Sequence, residues 1–333
     1  MVSLPPSRGP LFAALPDSSC HWNDNDIKES SWPLDKVSCF SINSRTFTNN
    51  HQIAWNNSAT LTTIRLSTLH TVSKQQQDTA QYLPTYHTMS APSNKTVFFL
   101  GASGGVGLAA LKHTLTAGHK CIALCRTPSK LTDILPADQN PNLKVVQGNA
   151  HDVVAVASGL KKDDGSIVDE IVTTIGSRPS LAKLGGIEDP EVCRNGMTSL
   201  LEALAQVQKE GATGKPLIVA CSTTGISRFG RDIPLAMIPL YHFMLKVPHE
   251  DKRIMEEKLV ESGVDFTIVR PSLLTDGASD TAIRVGLEDP KTGRESDAVG
   301  YTISREDAGR WLAENLLVSR DAKYVNKVAS ITY

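Results

Sequence analysis

Thr96-Val97-Phe98-Phe99-Leu100-Gly101-Ala102-Ser103-Gly104-Gly105-Val106-Gly107 decides the fold. An apolar, β-prone run enters glycines at 101, 104 and 107, and Leu108-Ala109-Ala110-Leu111 continues at helical period. Strand, tight turn and helix N-terminus together make the arrangement that cradles a dinucleotide pyrophosphate. One position must turn sharply, one must let backbone approach phosphate, and one must let helix and strand pack closely, so glycine is required. The helix start adds free N–H groups and a positive dipole end for the anion. Gly105-x-Gly107-x-x-Ala110 also fits the looser Rossmann fingerprint, and the spacing alone admits an ordinary glycine-rich turn. The flanking strand and helix patterns select the dinucleotide reading. Gly101, Ser103, Gly104, Gly105, Val106 and Gly107 are therefore candidate cofactor contacts.

The second predicted strand, Cys121–Arg126, ends near the point where an NAD-binding unit carries an acid for the ribose hydroxyls, about 20 residues past the glycines. Arg126 stands there, 19 positions after Gly107. Its guanidinium offers a fork of donors suited to a 2′-phosphate, which favours NADP(H) over NAD(H). The plainer alternative is a solvated surface arginine. At the end of the third strand, Asn149 and Ala150 are placed to pass the adenine, with a helix-cap role for Asn149 or Asp152 as the alternative. Ile175 and Gly176 end the fourth strand, beside the switch point where a nicotinamide ribose would lie.

From residue 94 onward strands and helices alternate. Strands are expected at 96–101, 121–126, 143–148, 170–176, 216–222, 265–270 and 325–332, and helices at 105–117, 129–135, 152–160, 190–208, 249–262 and 304–317. Such alternation implies α/β class: a Rossmann, doubly wound parallel sheet in a single domain, 94–333. Residues 1–90 differ in character, being rich in Ser, Thr, Asn, Gln and His, with Gln75-Gln76-Gln77 among the polar tracts. They are expected to be a disordered or low-complexity extension. A transit peptide is the alternative, although Asp24, Asp26 and Glu29 interrupt it. A working protein starting at Met89 is a further possibility, with residues 1–88 adding nothing to the fold.

Composition bounds the partners. Among 333 residues, 34 Lys and Arg face 35 Asp and Glu, a net charge of −1 that gives no electrostatic case for nucleic acid or acidic membranes. The six cysteines lack Cys-x-x-Cys pairing, so neither a disulfide framework nor a metal site is expected, and a reducing compartment is favoured. Cys121 and Cys125 share one face of a predicted strand, where buried thiols are the bland reading. No stretch approaches the roughly 20 apolar residues of a membrane span. A cytoplasmic protein with a small-molecule substrate is expected.

The chain resembles a known family in four stretches: Gly101–Gly107, Arg126 within Cys-Arg-Thr-Pro, Cys221-Ser-Thr-Thr-Gly225, and Ser262-Gly-Val-Asp-Phe-Thr-Ile-Val-Arg-Pro271. They are similar to an atypical short-chain dehydrogenase/reductase of the NAD(P)H-binding, NmrA-like branch. Residues 240–252 are also similar to fungal averufin-oxidase-type proteins of polyketide pathways. The resemblance covers about 94–333 and implies a serine, here Ser222, and a Tyr-x-x-x-Lys helix whose lysine falls on Lys252 and would also hold the cofactor ribose. The tyrosine position is Pro248, which has no proton to give.

Tyr241 and His249 are then the candidate proton donors, with His242 a third; each has a bland alternative, covering the sheet edge or lining a pocket. Segments 223–250 and 272–303 are expected on the substrate side, the second as a mobile lid from Leu274 to Tyr301. The resulting expectation is an NADP(H)-dependent oxidoreductase for a small planar or carbonyl-bearing molecule, such as an aromatic polyketide intermediate. The alternative is a non-catalytic NADP(H) sensor with a protein partner.

Overall fold

The computed structural model describes residues 94–177 and 187–333. The polar extension 1–90, Met89, Cys20 and Cys39 lie outside the described residues. β1 (Thr96–Leu100) leads through the glycine turn into α1 (Gly105–Thr116), β2 (Lys120–Cys125), α2 (Ser129–Thr132), β3 (Leu143–Gln147) and α3 (Val153–Gly159). β4 (Glu170–Thr173), α4 (Val192–Lys209), β5 (Leu217–Cys221), α5 (Ile238–Met244), α6 (Lys246–Glu261) and β6 (Phe266–Pro271) follow. Then come β7 (Leu273–Thr275), β8 (Arg284–Asp289), β9 (Gly293–Ser296), β10 (Thr302–Ser304), α7 (Arg305–Leu312) and β11 (Lys327–Thr332).

Among the described residues the main sheet runs β3-β2-β1-β4-β5-β6-β11-β8-β9. β1 is buried at all five positions because both its neighbours are parallel strands and both its faces carry helices. Val97, Phe99 and Leu111 pack with α1 and α7 residues on one face, where Cys121 and Cys125 are also buried. Phe98 and Leu100 pack with α3, α4 and α6 on the other. Strand order reverses between β1 and β4, which opens a crevice at the carboxyl ends of the strands.

Two expectations need correction. α6 begins at Lys246 rather than His249, so Pro248 sits in its first turn, where a missing N–H breaks no helical bond. The stretch Leu274–Tyr301, expected as a mobile lid, carries the end of β7 and the whole of β8 and β9. β8 pairs antiparallel with β11, β9 pairs with β8, and β7 pairs with β10. Alternation explains the difference. Val285 and Leu287 pack against the core, while Glu288, on the other face of the strand with Gly286, is buried as an ion pair, so charges that suggest a solvated loop belong to a strand.

Candidate active site

The glycines divide by role. Gly101 has φ +92°, and a Cβ there would stand 2.9 Å from Thr174 Oγ1. At Gly107 a Cβ would fall 2.3 Å from that oxygen and 2.6 Å from Gly101 O. Thr174 Oγ1 in turn donates to Gly101 O at 3.1 Å, fastening the turn to the end of β4. These two glycines therefore serve close packing. Gly104 is exposed, with open space where a Cβ would stand. The N-terminus of α1 has no side-chain cap and no acidic residue in its first turn. Open backbone and free, positively polarised N–H groups fit a dinucleotide pyrophosphate. Ser103 is half-buried beside Gly104, whereas the Val106 side chain is buried in the α1/α7 core, so only its backbone can serve a cofactor.

Arg126 is exposed immediately after β2 and makes no hydrogen bond or ion pair among the described residues. Gly148 N–H donates to Cys125 O at 3.0 Å, which sets the ends of β2 and β3 side by side. The helix cap falls to Asp152, whose carboxylate accepts from Val154 N at 2.9 Å and Ala155 N at 3.3 Å. Asn149 is exposed; its Oδ1 accepts a local bond from His151 N at 3.3 Å and keeps a second lone pair. Ala150 is half-buried against the α3/α4 core, and Gly176 faces open space.

Lys252 bridges the carboxyl ends of β4 and β5. Its Nζ donates to Ile175 O at 3.1 Å and to Cys221 O at 2.5 Å, leaving one of three ammonium protons free. Burial pulls its pKa down, while Cys193, Cys221, Asp251 and Glu256 pull it up, and the net direction is upward. The neighbouring Asp251 caps α4 from outside that helix, accepting from Cys193 N at 2.8 Å and Arg194 N at 3.0 Å. Nothing local in the sequence marks this bond across 58 positions.

Ser222 follows β5, buried, with its backbone N–H on Val269 O at 2.7 Å and its Oγ without a partner. Two residues on, Thr224 Oγ1 lies 3.4 Å from the Tyr241 hydroxyl. Tyr241 is 4% exposed, so the α5 segment does fold this side chain inward. Burial pushes the Tyr241 hydroxyl above its usual range. His249 stacks obliquely on it, ring centroids 5.2 Å apart. Its Nε2 is buried and unpartnered, and burial holds its pKa at about 4, so the ring is neutral at neutral pH. Gly225, at φ +90°, makes room for both rings: a Cβ there would lie 2.5 Å from Tyr241 Cδ1 and 3.0 Å from His249 Cε1. His242 is exposed.

A buried ion triad braces this region. Arg270 donates to Glu256 through Nε at 3.0 Å and Nη2 at 2.5 Å, and to Glu288 through Nη1 at 3.0 Å. It ties α6, which carries Lys252, to β6 and β8. An arginine inside a strand buried at every position is the sequence signal that could have found it.

The fold is the doubly wound α/β architecture of a dinucleotide-binding protein. The NAD(P)H-binding family matches residues 101–317. The chain is 39% identical over 266 residues to Reductase pytE of Aspergillus terreus, covering 72% of this chain and 99% of that protein. It is 31% identical over 278 residues to Oxidase pynE of Aspergillus niger, again covering 72% and 99%. Among solved structures, a wide-type short-chain dehydrogenase/reductase from Veillonella parvula, in complex with NADP, aligns at TM-score 0.52 and 16% identity, over 72% of this chain and 94% of that one. The oxidoreductase ylbE from Lactococcus lactis aligns at 0.51 and 20%, over 71% and 90%. At such identities the structural likeness concerns the fold. The chain belongs to the NAD(P)H-binding family and is an oxidoreductase. The two Aspergillus relatives bear the names of enzymes, and these comparisons lend no support to the non-catalytic sensor. Among the described residues, no helix is long and apolar enough to cross a membrane.

Proposed function

We propose that the chain is a cytoplasmic NADP(H)-dependent reductase of a small planar or carbonyl-bearing molecule in secondary metabolism, such as an aromatic polyketide intermediate. NADPH, when bound, supplies the hydride. The protein supplies position and polarity. Gly104 and the α1 N-terminus would hold the pyrophosphate, Arg126 would take the 2′-phosphate, Asn149 and Ala150 would flank the adenine, and Gly176 and the free Lys252 proton would serve the nicotinamide ribose. The observation that carries the reading is Ser222 Oγ, buried and unpartnered beside the carbonyl that Lys252 binds. A buried hydroxyl without a partner is costly unless a ligand satisfies it, which supports a donor role for Ser222 toward a substrate carbonyl.

Pro248 removes the usual proton donor, and His249, neutral at neutral pH, is no imidazolium acid. Tyr241, oriented by Thr224, is the remaining donor for a ketone. For a quinone or flavin, solvent suffices, because hydride transfer is the main event. The test is NADPH oxidation by the full chain against quinones, flavins and anthraquinone-like ketones. Turnover with one class supports the reading, and tight NADPH binding without turnover on any contradicts it. Arg126→Ala is expected to weaken NADPH by about tenfold or more with little effect on NADH, as loss of a charge-assisted contact to one phosphate implies. Equal losses in the two titrations would remove Arg126 from the 2′-phosphate.

A further inference from the structure

Arg305 has no place in the sequence pattern of a dinucleotide site, lying 198 positions beyond Gly107. It nevertheless lies over the glycine turn: a Cβ built on Gly105 would come 3.5 Å from Arg305 Cδ and 4.0 Å from its Nε. The placement is rigid at the backbone. Arg305 is the first residue of α7, whose N-terminus is capped by Ser304 Oγ on Asp307 N at 2.9 Å. One turn on, Gly309 lets α7 touch α1, since a Cβ there would lie 2.5 Å from Ala109 Cβ and 2.6 Å from Val106 O.

The guanidinium is half engaged. Its Nη1 donates to Asp276 Oδ1 at 2.6 Å, and that carboxylate is 90% exposed. Such a pair is held weakly in water, and a more highly charged anion displaces the carboxylate easily. The adjacent Glu306 is turned instead to His113, 3.3 Å away on α1. Arg305 therefore has spare donors at the one place where the backbone of α1 is open to an anion.

We propose that Arg305 is a ligand of the cofactor pyrophosphate and that Asp276 is the carboxylate it releases when the dinucleotide binds. The inference rests on the dinucleotide reading of the glycine turn. It differs from the role of Arg126, which follows β2 and addresses only the 2′-phosphate. Pyrophosphate is common to NADPH and NADH, so the two arginines separate in a binding titration.

Dissociation constants of NADPH and NADH are measured by nicotinamide fluorescence for the full chain, Arg305→Gln, Arg305→Lys and Asp276→Asn, with thermal melts as a check on folding. Loss of the charge in Arg305→Gln is expected to weaken both dinucleotides by about tenfold, in equal proportion. Arg305→Lys recovers part of the loss, and Asp276→Asn tightens both several-fold by removing the competing anion. The proposal is overturned by unchanged affinities in Arg305→Gln or by a loss confined to NADPH. Weaker binding in Asp276→Asn would overturn the released-carboxylate role. A wild-type chain that binds neither dinucleotide would overturn the dinucleotide reading itself, and this inference with it.

Discussion

Ser222 shows how a single side chain reports function against stability. A buried hydroxyl without a partner costs the fold about 1–3 kcal/mol, so trimming it removes a burden rather than a bond. Ser222→Ala is expected to leave the melting temperature unchanged or slightly raised, while NADPH turnover falls about tenfold or more. A melt and a steady-state assay on one preparation check both halves. Ser222 and Lys252 were legible because the residues around them match a family pattern. Tyr241 was legible only as a candidate. Its inward position depends on Gly225 having no Cβ and on Thr224 lying within 3.4 Å, and neither follows from periodicity. Asp251 and Arg305 were not read as site residues, because each acts across more than 55 positions of chain.

Secondary-structure elements were read well where burial is two-sided. β1, β4, β5 and β6 are short apolar runs, and α1 and α4 follow them with ordinary helix signals. The stretch between β6 and α7 was misread because β8 and β9 sit at the sheet edge, where polar residues alternate with apolar ones and glycines mark turns, whereas α7 and β11 beyond it match the expected helix and closing strand. Glu288 is the informative case. Its charge suggested a loop, whereas it completes the ion triad that holds β8 to β6 and α6. Removing the central cation would leave two buried carboxylates uncompensated, so Arg270→Ala is expected to destabilise by about 3–5 kcal/mol in denaturant unfolding. The conservative Arg270→Lys keeps the charge but loses the bidentate fork and should fall between.

At the scale of the described fold, the candidate site and the buried Glu170–Lys95 pair lie at opposite ends of the strands. The site lies at the carboxyl ends of the strands; Glu170 lies at the amino end of β4, buried and 3.0 Å from Lys95 Nζ. Burial raises Glu170 from 4.5 to about 7, against the downward pull of Lys95. A carboxyl raised in the folded state binds more protons folded than unfolded. Its contribution is complete below the unfolded value of 4.5 and is lost as pH rises through about 7. His249 works in reverse: its pKa is lowered from 6.5 to about 4, so its contribution is present above 6.5 and lost as pH falls through about 4. Glu170→Gln is therefore expected to remove the falling contribution between pH 5 and 7, so that its melting temperature falls less, or rises more, with pH than that of wild type over this interval, while the Michaelis constant for NADPH is unchanged. A melt series whose slope over that interval matches wild type would remove Glu170 as its cause.

The two ends share a sheet but not a chemistry, and the central claim concerns only the carboxyl end: that it moves a hydride rather than merely holding a dinucleotide. The direct measurement is single-turnover mixing of the NADPH-loaded full chain with ketone, quinone and flavin acceptors, following reduced-nicotinamide absorbance. The account predicts decay with at least one acceptor class and slower decay in Ser222→Ala. Bound NADPH that persists against every acceptor would contradict it.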